Sequence, residues 1–357
     1  MKGNKRTLTG NSTSIMGLAW SNDEIWFTGT HQGSARMINA VNLKGEERLL
    51  YRGTGRLTLR DVSRRGEALV TDDKMRVQVS VCRASDGLER DLSWHDWTLP
   101  RSLTDDGETL LFEEAGNSGG NRLAAYIRKT DGSSLKKIGD GSALALSPDG
   151  KYALLRFFSP HNHLALVPLG EGEIKLLETD PEHLLIYDVF ADFFPDGKRI
   201  IFSANETGGG RCIYIQNIEG GKPVRFTSEE GVKLIGLHSI SPDGKYVILT
   251  NSEDRLALFQ TSGGASAPLK NLEKGFLLTR WTDDGENLFV WQREGFPVIV
   301  YKYNLASGTK EEWLRLVPKD MIGVYRITGI RLTPDGKTYA YSYLRESSEL
   351  YLMENLV

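Results

Sequence analysis

One short phrase recurs along this chain and limits what it can fold into. It reads Leu-Ser-Pro-Asp-Gly-Lys at Leu146–Lys151, and returns as Phe-Phe-Pro-Asp-Gly-Lys at Phe193–Lys198, Ile-Ser-Pro-Asp-Gly-Lys at Ile240–Lys245 and Leu-Thr-Pro-Asp-Gly-Lys at Leu332–Lys337. Weaker copies stand at Trp20–Glu24, Val62–Glu67, Leu103–Glu108 and Trp281–Glu286. Pro presets φ at the second turn position, and Asp-Gly supplies the positive φ of a tight hairpin. The turn glycines Gly66, Gly107, Gly150, Gly197, Gly244, Gly285 and Gly336 are spaced 41 to 51 residues apart. A period in the forties is that of one four-stranded propeller blade.

The stretches around the turns, such as Tyr152–Leu155, Ile200–Ser203 and Cys212–Gln216, are rich in β-branched and aromatic residues and lack helical periodicity. A β-sandwich would not repeat one phrase in this way. The expected fold is all-β: a single β-propeller domain over residues 1–357, with eight blades of four strands, or seven if the degenerate first copies are discounted. The last unit supplies three strands, Thr328–Leu332, Thr338–Tyr343 and Glu349–Met353. The N-terminal strand Lys5–Thr9 is expected to pair with that last blade and close the ring, leaving few exposed strand edges.

Lys and Arg total 44 against 47 Asp and Glu, a net charge of -3. Bulk charge therefore gives no case for nucleic-acid binding. Cys82 and Cys212 fall three blades apart, so no disulfide is expected between them, and two cysteines fit either an oxidising or a reducing compartment. No apolar run approaches the ~20 residues of a membrane span, and Met1–Gly17 lacks the apolar core of a signal peptide. The opening Lys-Gly turn followed by a strand reads as the tail of a preceding blade, as if the chain were part of a longer polypeptide. A monomer is expected.

The Pro-Asp-Gly-Lys phrases resemble the WD-like repeat of TolB-type propellers, which is also found in non-catalytic domains of prolyl-oligopeptidase relatives. Gly17–Ser21, Glu89–Trp94, Tyr126–Gly132, Gly141–Gly150, Leu332–Tyr343 and Glu349–Leu352 are similar to the C-terminal propeller regions of bacterial, notably acidobacterial, membrane-bound serine/threonine protein kinases. That resemblance implies an extracytoplasmic (periplasmic) sensor or scaffold, tied to the membrane through its parent polypeptide and binding a protein, peptide or envelope ligand. It implies no kinase activity here. There is no Gly-rich loop with a Val-Ala-Ile-Lys strand, no His-Arg-Asp and no Asp-Phe-Gly, and Asp192-Phe-Phe belongs to a repeat phrase.

Candidate site residues follow from the layout. The turn aspartates Asp149, Asp196, Asp243 and Asp335 read as structural. Loops joining second and third strands, on the opposite face, are the expected binding surface. Charged residues enter the first strands, which line a propeller channel: Arg60, Arg101, His238, Arg280 and Arg331, with Asp192. They suit inter-blade ion pairs, or an arginine-lined mouth for an anion. Trp94, Trp97 and Tyr187 near the blade connections suit blade packing, or, where exposed, aromatic binding anchors. His161, His163 and His183 form a His-X-His pattern with a third histidine. In the alternative reading they hold a divalent metal in a propeller lyase or hydrolase acting on an acidic-sugar or envelope substrate; in the leading reading there is no cofactor and no catalysis. Gly116–Gly120 matches Gly-X-Ser-X-Gly but lies in a loop without the helix a nucleophile elbow requires.

Overall fold

The computed structural model describes residues 5–10, 12, 14–30, 36–53, 55–115, 123–159, 161–179, 185–206, 210–227, 231–236, 238–264, 266–293 and 295–356. Among them every regular element is a strand. The chain divides into two compact units, Met1–Arg76 with Arg345–Val357, and Val77–Leu344.

In the first unit, β1 (Ser14–Ser21), β2 (Glu24–Thr30), β3 (Met37–Asn42) and β4 (Glu47–Arg52) form an antiparallel sheet in chain order. A hairpin of β5 (Leu57–Val62) and β6 (Ala68–Cys82) follows, and β6 continues into the second unit. Trp26, Ile38, Leu57, Leu59, Val70 and Leu356 make the apolar core of this unit. Gly17 sits at a bulge in β1 with φ +67, where a Cβ would lie 1.9 Å from the Leu59 carbonyl oxygen, so only glycine fits this approach of β1 to β5.

In the second unit, β7 (Glu89–Asp91) pairs with the Ser80–Cys82 end of β6. Four-stranded antiparallel sheets follow. One comprises β8 (Thr98–Leu103), β9 (Thr109–Glu114), β10 (Ala124–Lys129) and β11 (Leu135–Asp140). The next comprises β12 (Ser142–Leu146), β13 (Tyr152–Phe157), β14 (His163–Pro168) and β15 (Lys175–Leu176). A third holds β16 (Leu185–Phe193), β17 (Arg199–Glu206), β18 (Arg211–Asn217) and β19 (Val224–Arg225). Then come β20 (Tyr246–Thr250), β21 (Leu256–Gln260) and β22 (Ala267–Pro268), with an Ile240–Val247 bridge in the first-strand position. Another four-stranded sheet holds β23 (Phe276–Trp281), β24 (Asn287–Gln292), β25 (Val298–Asn304) and β26 (Lys310–Leu316). Finally β27 (Val324–Leu332) pairs with β28 (Tyr339–Met353), whose other neighbour is β6.

This last pairing corrects one expectation. Residues 5–9 form no strand, and β6 rather than Lys5–Thr9 lies beside β28. The physical reason is in β6 itself. Val79 and Val81 are fully buried with Ala340 of β28 and with Leu103 and Phe112 of the β8 sheet, whereas Lys5 and Arg6 are exposed and polar.

Apolar clusters join the sheets of the second unit. Leu111 and Ala125 pack with Ala153 and Leu155, Leu154 and Leu166 with Tyr187 and Phe202, and Ile201 and Ile213 with Val247 and Leu249. Ile248 and Leu256 pack with Phe276 and Leu288, and Phe289 and Val300 with Ile330 and Tyr341. Each such side chain, once fully buried, contributes roughly 1.5–3 kcal/mol.

The repeated phrase builds a first-to-second-strand turn throughout. In the Ser147 copy, the hydroxyl bonds Asp149 Oδ1 at 2.6 Å, the same Oδ1 accepts the Lys151 amide at 3.1 Å, and the Tyr152 amide donates to the hydroxyl at 2.9 Å. The Thr104, Ser241, Thr282 and Thr333 copies repeat the hydroxyl-to-aspartate bond at 2.5–2.7 Å. These bonds hold Asp106, Asp149, Asp243, Asp284 and Asp335 below the usual carboxylate range. The turn aspartates are structural, as expected. Six copies of the phrase fall in Val77–Leu344, while the degenerate copies at Trp20–Glu24 and Val62–Glu67 fall in the other unit.

Candidate functional site

Polar side chains of the first and second strands link the sheets of the second unit. Ser142 donates to Glu113 Oε2 at 2.7 Å, and Arg156 donates to the Tyr187 carbonyl. The Ser239 amide donates to Asp192 Oδ2 at 2.8 Å, and the Trp281 indole donates to the Ser239 carbonyl at 2.9 Å. Arg280 Nη1 donates to the Leu332 carbonyl, and Arg331 Nε to the Arg101 carbonyl, both at 2.9 Å. Register shifts fall between Pro100 and Ser102, and between Leu278 and Arg280, placing Arg101 and Arg280 out of simple alternation.

Arg101, His238, Arg280 and Arg331 are thus brought together, with Asp192 among them. Arg101 pairs with Glu113, which is 2% exposed. Arg280, 7% exposed, reaches Asp105 Oδ1 through Nη2 at 2.8 Å. Burial pushes the Asp192 carboxyl up to about 7, despite amide donors and Arg280. Burial, with Arg101 nearby, brings Arg331 down to about 9. Burial, with Arg280 and Arg331, holds the His238 imidazole well below its ordinary value, so the ring is neutral. His238 also adopts φ +52, an uncommon conformation for a residue with a side chain. Arg280 Nε and His238 Nε2 are buried with no hydrogen-bond partner among the described residues.

Asp192, His238 and Arg280, but not Arg101 or Arg331, line a cavity of about 530 Å³, within the range that holds small ligands. Asp192, His238 and Arg280 form its deep part; the turns Thr104–Asp106 and Ser147–Gly150, with Pro195, Pro242 and Asp283, form its rim. The cavity therefore lies at the Asp-Gly-turn end of the first strands, not at the second-to-third-strand loops where the binding surface is expected. Two rim residues were not singled out from sequence. Asp105 and Asp283 occupy the turn position that is Pro148, Pro195 and Pro242 in the strong copies. That substitution is the signal that could have found them.

The other candidates lie elsewhere. Arg60 belongs to the first unit, where it bonds Thr71 Oγ1 at 3.0 Å and approaches Asp73 at 3.7 Å. Tyr187 is a core residue, 3% exposed, with its ring 5.3 Å from Phe202, which places it with the packing reading and not among the binding anchors. Trp94 is exposed and Trp97 half-buried, and neither lines the cavity. His163 Nδ1 lies 2.7 Å from the His161 carbonyl, and its ring stacks on Phe157. His183 and Gly116–Gly120 lie outside the described residues. Among the described residues no three His, Cys, Asp or Glu side chains gather as metal ligands. Cys82 and Cys212 are buried and form no disulfide. No helix of the described residues is long and apolar enough to cross a membrane.

Comparison with known proteins bears on the fold. The WD domain, G-beta repeat profile matches residues 3–39. The structure of a TolB-type protein from Agrobacterium tumefaciens is similar over 77% of this chain and 99% of its own, with 18% identity and a TM-score of 0.54. TolB from Acinetobacter baumannii matches over 94% of this chain and 81% of its own, at 14% identity and a TM-score of 0.46. Oligogalacturonate lyase from Vibrio parahaemolyticus matches over 74% and 77%, at 15% identity and a TM-score of 0.47. The fold is all-β, a TolB-like propeller built from four-stranded antiparallel sheets.

Proposed function

We propose that residues 77–344 form a six-bladed propeller, closed where β28 pairs with β6, that acts as a non-catalytic binding module through the cavity at its turn end. The apolar clusters support this blade count, since each sheet packs on the next and the β6–β28 sheet packs on the β8 sheet. The observation that carries the binding role is that Arg280 and His238, two lining residues of a ligand-sized cavity, each hold a buried nitrogen with no hydrogen-bond partner among the described residues. Buried polar atoms of this kind are costly unless something satisfies them. The resemblance to propeller regions of membrane-bound serine/threonine kinases supports an extracytoplasmic sensor or scaffold within a larger signalling protein.

The test is thermal melting of the purified chain with a panel of small envelope compounds and short peptides. A compound at a hundredfold excess over its Kd raises Tm by about 5 °C or more, and Arg280→Gln removes the rise. Binding that survives Arg280→Gln and is lost instead on changing Trp94 or His163 would contradict the proposal, as would turnover of the bound compound.

A further inference from the structure

The rim residue Asp105 does more than complete a turn. Its side chain is 64% exposed, yet it extends to the guanidinium of Arg280, which is 8% exposed. The strong copies of the phrase have proline at this position, so the hairpin does not need the carboxylate. The neighbouring Asp106 is the one that performs the turn role, bonding Thr104 and the Glu108 amide. Asp105 also bridges sheets that are not neighbours, since the β27–β28 sheet stands between the β23 sheet of Arg280 and the β8 sheet.

From this we infer that the cavity binds a ligand carrying a single carboxylate, and that Asp105 occupies the ligand's place on Arg280 until it is displaced. This rests on the reading of residues 77–344 as a binding propeller. Arg280 has one fixed bond, from Nη1 to the Leu332 carbonyl, which holds the guanidinium in place. Nη2, now on Asp105, and the unpaired Nε lie on the same planar group, the arrangement that receives both oxygens of a carboxylate. His238 lines the same cavity, and its buried Nε2 has no hydrogen-bond partner among the described residues. The rim argues against a second negative charge. Asp105, Asp106, Asp149 and Asp283 all line it, so a multiply charged anion meets repulsion there while a neutral or cationic ligand body does not.

The proposal gives the exposed residue an effect opposite to that of a structural ion pair. Asp105→Asn removes the internal competitor and should tighten carboxylate binding about fivefold, the scale of a partly exposed pair. Arg280→Gln should weaken it about tenfold or more. The experiment is calorimetric titration of the full chain with N-acetylalanine, N-acetylalaninamide and inorganic phosphate at constant ionic strength. N-acetylalanine should bind, the amide should not, and phosphate should bind more weakly than N-acetylalanine. Because Arg280→Gln could impair folding, the exposed Asp105→Asn variant carries the decision. Equal binding of the amide, stronger binding of phosphate, or weaker binding of N-acetylalanine to Asp105→Asn would each overturn the inference. If N-acetylalanine fails in both chains while another compound binds in an Arg280-dependent way, the carboxylate assignment falls and the binding module stands. If nothing binds in that way, both fall.

Discussion

Asp192 shows how one residue can tie the cavity to stability. Its two oxygens accept the Phe193 and Ser239 amides at 3.0 and 2.8 Å, and it is 4% exposed. An unfolded aspartate loses its proton near pH 4, whereas burial raises the folded group to about 7. Between those values the folded chain holds a proton that the unfolded chain has released, so this residue makes stability fall as pH rises from about 4 to 7. The turn aspartates act in a different window and in the opposite direction. Their folded values are depressed, so their contribution is present above about pH 4 and is lost only on further acidification. Denaturant midpoints at pH 5 and pH 8 separate the two. Wild type should lose more stability between them than Asp192→Asn, and parallel midpoints would contradict the assignment.

At the scale of the element, the hydroxyl that opens the repeated turn fixes its geometry. Ser241, 3% exposed, bonds Asp243 at 2.7 Å and accepts the Tyr246 amide at 2.9 Å. Ser241→Ala leaves both partners short of a bond and should cost about 1–2 kcal/mol. Lys245→Ala, which removes only an exposed contact to Asp243, should change stability by less than about 0.5 kcal/mol. Thermal melting of both variants checks the contrast. These turns were legible in the sequence because their chemistry is local: Ser or Thr, Asp and Gly at fixed spacing dictate the hairpin wherever it stands. The same locality hid which sheet each hairpin joins. The Trp20–Glu24 and Val62–Glu67 turns follow the code as closely as two degenerate copies can, yet both turns, with β1, β2, β5 and the first part of β6, belong to the first unit. Arg101, Arg280, Arg331 and His238 were legible as charged residues beside the repeated phrase. Tyr187 could be read either as an anchor or as a packing residue; its alternation with buried Leu185 and exposed Ile186 places its ring in the core.

For the molecule as a whole, the account rests on Val77–Leu344 carrying its own closed set of interfaces. Every cluster that joins its sheets is made from residues inside those bounds, including Val79, Val81 and Ala340. In the proposed ring the charged centre spans the closing sheet, since Arg331 on β27 reaches the Arg101 carbonyl on β8 at 2.9 Å. The first unit has a separate core around Trp26, Leu59 and Val70. The most direct measurement is the thermal melt, followed by far-ultraviolet circular dichroism, of a chain that begins at Val77 and ends at Leu344. One cooperative transition from a β-rich spectrum is the predicted result. A spectrum without β-structure, or a gradual loss of signal with no transition, would contradict a self-contained propeller closed by β28 on β6.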